Sequence, residues 1–259
     1  MLQWNANPIL ISMGPVAIRW YGLLFASGFL VGLVMVRWMF RREGRPLEDT
    51  DKLFNYMAVG TIIGARLGHC FFYEPSYYLS HPLAIIKIWE GGLASHGAFI
   101  GILIAVWLYA RRRPEQPFLW VLDRICIPTI LAGSLIRLGN LFNSEIVGIP
   151  TQVPWAIVFQ RVDSLPRHPT QLYESVAYAA IFLLLWVFYR RWAGKIPDGK
   201  LFGVFLTAVF GFRFLIEWTK VRQAAFAADF PLSMGQMLSV PLVAFGLWLL
   251  LRKRDSPVH

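Results

Sequence analysis

The sequence predicts an all-α polytopic membrane protein, with about seven transmembrane helices and a small periplasmic cap. Three observations carry that expectation. Of 259 residues, 56% are hydrophobic and only 15% charged, against about 25% charged in soluble domains; the mean hydropathy is +0.51. The apolar residues run in blocks of about 20, the length that crosses a hydrocarbon layer as helix. The basic residues gather between those blocks, in alternate connections. A transmembrane barrel would instead need short segments of alternating polarity.

In chain order, the first span is expected at 16–38, opened by Arg19-Trp20-Tyr21-Gly22, whose aromatics suit an interfacial anchor. Arg37, Arg41, Arg42 and Arg45 close it. The second, 53–73, and third, 94–111, carry glycines at four-residue spacing (Gly60, Gly64, Gly68; Gly97, Gly101), as does the first at Gly28 and Gly32. Small residues in this register let helices pack closely, and would leave Arg66 and His96 facing a shared interior. Arg111 to Arg113 end the third span, and the fourth follows at 118–138. The fifth, 171–190, ends in Arg190, Arg191, Lys195 and Lys200; the sixth is 200–218; the seventh, 235–252, ends in Arg252, Lys253 and Arg254.

Those four basic groups hold 14 of the 25 Lys and Arg. Placed inside, as the positive-inside rule asks, they put the C-terminus in the cytoplasm and, across seven spans, the N-terminus outside. The outer face then receives 1–15, 74–93, 139–170 and 219–234. No cleavable signal sequence is expected, because no basic segment precedes the first apolar block. The chain reads as one integral membrane domain over 1–259, with 139–170 as a periplasmic insertion. That insertion holds Pro150, Pro154, Pro166 and Pro169 and a short strand candidate, Trp155-Ala-Ile-Val-Phe159. No internal repeat is evident. The net charge of +10 is spent on topology, so no nucleic-acid partner is expected. Cys70 and Cys126 both lie in apolar blocks, which predicts two small buried side chains and neither a disulfide nor a metal site.

Polar chemistry concentrates in Arg137-Leu-Gly-Asn140-Leu-Phe-Asn143-Ser-Glu145, followed by Gly148, directly after the apolar run from Ile125 to Ile136. Ionisable groups at membrane depth are costly unless paired or facing a cavity, so this stretch has a polar task. His96, between glycines at the outer end of the third span, suits a general base near neutral pH, and equally a hydrogen-bonded helix end. Arg213 and Glu217 stand one turn apart. They form either a self-neutralising i,i+4 pair or an arginine offered to an anionic headgroup with Glu217 holding it. Arg137 supplies a second fork for the same phosphate. His168, in Arg167-His-Pro-Thr-Gln-Leu-Tyr-Glu174, suits a capping turn as readily as catalysis. No Gly-x-Ser-x-Gly, His-Glu-x-x-His or P-loop occurs, which removes support for a serine hydrolase, a zinc protease or nucleotide use.

Five segments in order resemble the bacterial prolipoprotein diacylglyceryl transferase family over nearly the whole chain. They are Arg19-Trp-Tyr-Gly-Leu23, Gly64-Ala-Arg-Leu-Gly68, Trp89-Glu-Gly-Gly-Leu-Ala-Ser-His-Gly97, Arg137 to Glu145 with Gly148, and Arg167 to Glu174; Arg213-Phe-Leu-Ile-Glu217 follows. The resemblance implies a cytoplasmic-membrane enzyme that moves the diacylglyceryl group of phosphatidylglycerol to the lipobox cysteine of a prolipoprotein, without metal or cofactor. It implies catalytic roles for His96, Arg137, Arg213 and Glu217. It implies substrate contacts at Tyr21, Arg66, Asn140, Asn143, Glu145 and Gly148. Some members carry a Tyr four residues before the sixth-span Arg; here Val209 stands there, so the burden of the base falls on His96. Two other classes remain open to the residues themselves, a channel or transporter and a lipid-binding scaffold. Oligomeric state is not readable from the sequence.

Overall fold

The computed structural model describes residues 2–14, 16–192, 195–221 and 232–253. Arg254 of the last basic group, His259 and most of the expected outer segment 219–234 lie outside them. Helix dominates the described residues. Strands β1 (Leu2–Trp4), β2 (Ile9–Met13) and β3 (Val16–Arg19) precede helix α1 (Trp20–Arg42). Helices α2 (Glu48–Phe72), α3 (Pro75–Ser80), α4 (Ser95–Arg111) and α5 (Phe118–Asn143) come next, with 3-10 turns at Pro82–Ile86 and Ile88–Glu90. After β4 (Ile157–Phe159) and β5 (Pro166–Arg167) come α6 (Thr170–Trp192), α7 (Lys200–Ile216) and α8 (Met234–Leu251).

All seven expected spans coincide with a helix. Five are long and apolar enough to cross a membrane: Trp20–Arg42, Phe118–Asn143, Thr170–Trp192, Lys200–Thr219 and Met234–Leu251. Helix α4 is apolar but shorter, and α2 is long but carries Glu48, Asp49, Asp51, Lys52 and Arg66. Leu30, Val34 and Leu251 are 66%, 67% and 80% exposed; in water such faces would be a liability, and in hydrocarbon they are at home. The chain is a multi-pass membrane protein. The first span is corrected at its start: residues 16–19 are strand, paired antiparallel with β2, and helix begins only at Trp20.

The chain divides into two compact units, Met1–Val36 with Asp123–His259, and Arg37–Leu122. In the first, α1 runs antiparallel to α5, since a Cβ on Gly28 would stand 2.9 Å from that of Ala132 and one on Gly32 3.3 Å from that of Pro128. Helices α7 and α8 pack likewise at Gly203 and Gly246. Asp123, 1% exposed, lends its carboxylate to the start of α7, accepting from the amides of Gly199 (2.6 Å) and Phe202 (2.7 Å). Helix α8 has its own capping box: Ser233 Oγ accepts from Gln236 N, and Gln236 Oε1 from Ser233 N.

A small sheet sits over the C-terminal end of α5. Strand β1 is parallel to β4 (Gln3 opposite Val158), and β4 is antiparallel to β5 (Ile157 opposite Arg167). Ile157 and Phe159 bury against Leu141, with Trp4, Val147 and Leu172 around them, and Trp4 Nε1 donates to the Leu141 carbonyl at 3.0 Å. The strand expected within 155–159 is therefore present as β4. Its partner β1 was not expected.

In the second unit α2 and α4 are antiparallel, and the glycines have the scaffold role expected of them. A Cβ on Gly60 would meet that of Ala105 at 2.6 Å, and one on Gly68 the Cα of Gly97 at 2.7 Å. Helix α1 ends in a Schellman closure, with Gly44 at φ +66° and the Arg45 amide 2.8 Å from the Phe40 carbonyl. Asp49 near the start of α2 accepts from Arg113 Nε (3.0 Å) and Gln116 Nε2 (2.7 Å), which ties that end of α2 to the chain leaving α4. Cys70 packs with Tyr78 and Ala84, and both cysteines are buried and free, as expected.

Candidate functional site

Helix α5 continues past the expected end of its span, so Arg137, Asn140 and Asn143 share its last two turns. Arg137 and Asn140 are one turn apart, which brings Nη1 to 3.2 Å from Asn140 Oδ1. The helix then stops through a Schellman-like closure: Ser144, at φ +56°, lets the Glu145 amide reach the Asn140 carbonyl at 2.9 Å. Ile146 follows at φ +54°. A β-branched residue there is strained by about 1–3 kcal/mol, and that strained turn swings Glu145 back over the helix end. Its carboxylate accepts from Asn140 Nδ2 (3.0 Å) and Asn143 Nδ2 (3.2 Å). Gln171 Nε2 holds the Glu145 carbonyl and Thr170 Oγ1 that of Ile146, tying the turn to the start of α6.

Behind this row lies Glu174, fully buried. Its Oε2 faces Arg137 Nε at 3.1 Å, off the N–H axis, an ionic contact rather than an aligned hydrogen bond. Its Oε1 accepts from Lys220 Nζ at 2.8 Å and from the Tyr178 hydroxyl at 3.4 Å. One carboxylate is thus shared by two cations in a poorly solvated place, the condition under which a buried charge is tolerable. Burial pulls the Lys220 ammonium below the ordinary lysine range, with Glu174 opposing that shift. Arg137 and Arg213 both lie within electrostatic reach of the Tyr178 hydroxyl on α6.

The expected Arg213–Glu217 pair is absent among the described residues. Helix α7 ends at Ile216 and Glu217 opens a 3-10 turn, Glu217–Thr219, which carries its carboxylate off the i,i+4 line. Glu217 instead lies 3.9 Å from Lys220 Nζ and against Gly235 in the first turn of α8, where a Cβ would come within 2.5 Å of Oε1. That places a negative charge at a helix N-terminus, a favourable position. Arg213 is half-buried and has no hydrogen-bond or ion-pair partner among the described residues.

Gly148 is a matter of clearance. A Cβ on it would stand 2.6 Å from His168 Cβ and 2.7 Å from the carbonyls of His168 and Thr219. Its amide donates to His168 O at 3.0 Å, and it bridges to Lys220. Arg167 clips the same loop: Nη1 donates to the Gly148 carbonyl at 3.0 Å and the rest of the guanidinium grips Asp163, whose carboxyl it holds below the usual range. His168 Nδ1 meets the Tyr173 hydroxyl at 3.2 Å, consistent with a turn residue. Tyr21 packs on Gly139, 2.8 Å from where a Cβ would be, and lines an open pocket of about 510 Å³ with Arg19, Gly22 and Asn143.

Two expected site residues belong to the second unit and are described there. Arg66, expected as a substrate contact, is 3% exposed and already occupied. Nε donates to Ile85 O (2.8 Å), Nη2 to Ala84 O (2.6 Å), and Nη1 to Gly91 O (2.5 Å) and Gly92 O (3.3 Å). With four of five N–H groups spent on carbonyls, it holds the 84–92 loop instead. His96, in the first turn of α4, is exposed, with ring contacts to Phe72 (5.3 Å) and Tyr73 (5.7 Å). The two do not share an interior.

Sequence reasoning missed Glu174 and Lys220 as members of the site. Glu174 stood inside a quoted segment, but its partners are distant in the chain; nothing local marks Lys220.

Comparison with known proteins gives one answer. The sequence profile described as Prolipoprotein diacylglyceryl transferase matches residues 8–252. A protein of Tolumonas auensis named phosphatidylglycerol–prolipoprotein diacylglyceryl transferase is 56% identical over 251 residues, covering 97% of each chain. One of the same name from Chloroherpeton thalassium is 57% identical over 247 residues, covering 95% of this chain and 92% of its own. Another, from Bacteroides fragilis, is 41% identical over 261 residues, covering 96% and 94%.

Proposed function

Since the chain belongs to the prolipoprotein diacylglyceryl transferase family, its reaction is diacylglyceryl transfer from phosphatidylglycerol to a prolipoprotein, and we propose that the network around Arg137 holds the phosphate. The acceptor is the thiol of the lipobox cysteine. The observation that carries this reading is Arg137 at the end of α5 beside the buried Glu174 carboxylate, which Lys220 shares, with Arg213 within electrostatic reach of the adjoining Tyr178.

A neutral thiol is a poor nucleophile, so the proton must leave first. In the reading offered here His96 accepts it. The thiolate sulfur then attacks the glyceryl carbon bound to the phosphate ester oxygen; the C–S bond forms as the C–O bond breaks, and glycerol phosphate departs with the electron pair. Negative charge grows on the phosphate, where guanidinium forks stabilise it most. Asn140 and Asn143 orient Glu145, the exposed acceptor of the row, toward substrate hydroxyls. Tyr21 lines the neighbouring pocket. Gly148 acts by keeping the backbone segments at His168 and Thr219 close, and Glu217 as a second, more distant anion for Lys220.

Arg137→Ala should raise the KM for phosphatidylglycerol tenfold to hundredfold and leave that for a lipobox peptide nearly unchanged, as loss of a charge-assisted contact worth roughly 1.5–3 kcal/mol implies. Arg137→Lys should recover only part, because a point charge cannot replace the fork. Full activity in Arg137→Lys would make the residue structural. A purified-protein assay with both substrates also separates an enzyme from a transporter or a passive lipid scaffold.

We further propose seven spans in the bacterial inner membrane, with the sheet-bearing cap in the periplasm and the C-terminus in the cytoplasm. The alternation of basic groups supports this orientation. A cysteine at Gln3 should react with an impermeant thiol reagent in cells whose outer barrier is opened, and one at Ser256 should not. The reverse labelling pattern would overturn the orientation.

A further inference from the structure

Glu174 presents a problem that Arg137 alone does not solve. A free carboxylate beside a guanidinium tends to close on it bidentately, through two parallel hydrogen bonds. Here it does not. Oε2 stands at the Nε edge of Arg137, off axis, while Oε1 is turned the other way, onto Lys220 Nζ at 2.8 Å. Lys220 is itself well placed to hold it. Its side chain is 10% exposed, Glu217 lies 3.9 Å away as a second anion, and its backbone is fastened by the bridge to Gly148 and by the Lys220 amide on Glu217 O at 3.1 Å. Arg137 Nη1 meanwhile donates to a neutral amide oxygen, that of Asn140 at 3.2 Å, and the neutral Tyr178 hydroxyl also lies beside the guanidinium; among the described residues no second carboxylate pairs with it.

We infer that Lys220 is a positioning residue for phospholipid: by drawing Glu174 Oε1 to itself, it keeps the carboxylate from forking onto Arg137. The Nη edge of Arg137 then remains open to the two oxygens of a phosphodiester. Lys220 touches neither substrate; it decides whether Arg137 meets the lipid as a cation or as half of a closed ion pair. This rests on the reading of Arg137 as the phosphate ligand.

The test uses the full chain in detergent with phosphatidylglycerol and a lipobox peptide, each KM measured separately. Lys220→Met should raise the phosphatidylglycerol KM about tenfold and leave the peptide KM in place, and Lys220→Arg should restore the wild-type value. In a Glu174→Gln background, where no carboxylate is left to fork onto Arg137, adding Lys220→Met should cost nothing more. A merely structural lysine would instead raise both KM values together and add its cost to Glu174→Gln in full, and either result overturns the inference. If Lys220→Met does not fold, Lys220→Gln keeps a donor at Glu174 without the charge; an intermediate phospholipid KM is expected, and an unchanged one refutes the idea. Arg137→Ala is the control. An unchanged phospholipid KM there defeats the reading of the site itself, whereas a raised one beside an unaffected Lys220→Met defeats only the role of Lys220.

Discussion

Replacing His96 with glutamine is expected to cut turnover by about 10²–10⁴, the usual contribution of a positioned general base, while fold and phospholipid affinity stay. The surroundings of His96 make the substitution clean. The imidazole is exposed, makes ring contacts with Phe72 and Tyr73, and has no hydrogen-bond partner among the described residues, so no buried group loses a partner. Raising the pH should recover part of the loss, because the peptide thiol ionises unaided near its own pKa of about 8.5. Wild-type turnover at neutral pH in His96→Gln would remove the residue from the mechanism. In that case the arginines lower the thiol pKa electrostatically, and Arg137→Ala and Arg213→Ala should each displace the pH profile upward.

Glu174→Leu should destabilise the protein by about 3–5 kcal/mol, the cost of leaving a buried charge without its partner. Two cations are stranded here, Arg137 and Lys220, with side chains 16% and 10% exposed. Lys220 keeps Glu217 at 3.9 Å, a long and weak substitute. Glu174→Gln should cost much less, since the amide oxygen still accepts from Lys220. Heat denaturation in detergent distinguishes the two variants, and unfolding of Glu174→Leu at the wild-type temperature would show that the cations find solvent or each other's anions without it.

The contrast between these residues shows what the sequence can carry. Arg137 through Glu145 stood out because polar groups interrupt an apolar run, and they do meet in one row. Arg66, a substrate contact by the resemblance, is not legible in that way: backbone carbonyls of a loop 18 to 26 residues away take its guanidinium. Both readings of Arg213 and Glu217, an ion pair or a headgroup arginine held by Glu217, assumed that the helix runs on; it becomes a 3-10 turn at Glu217 instead. Glu174 and Lys220 are 46 residues apart, and no local pattern announces that they meet. Strand β1 is three residues long, too short for a periodicity, and exists only because β4 offers it an edge. Apolar block length is a local property, and the helices were legible; partnership between distant residues is not local, and it was not.

Asp123 bears on how such a protein can be made. The opening amides of α7 at Gly199 and Phe202 are satisfied by a carboxylate that belongs to α5, and an amide entering hydrocarbon unsatisfied costs several kcal/mol. Because Asp123 precedes Gly199 by 76 residues, the acceptor is synthesised before the amides it serves, and the start of α7 needs no group that the ribosome has yet to make.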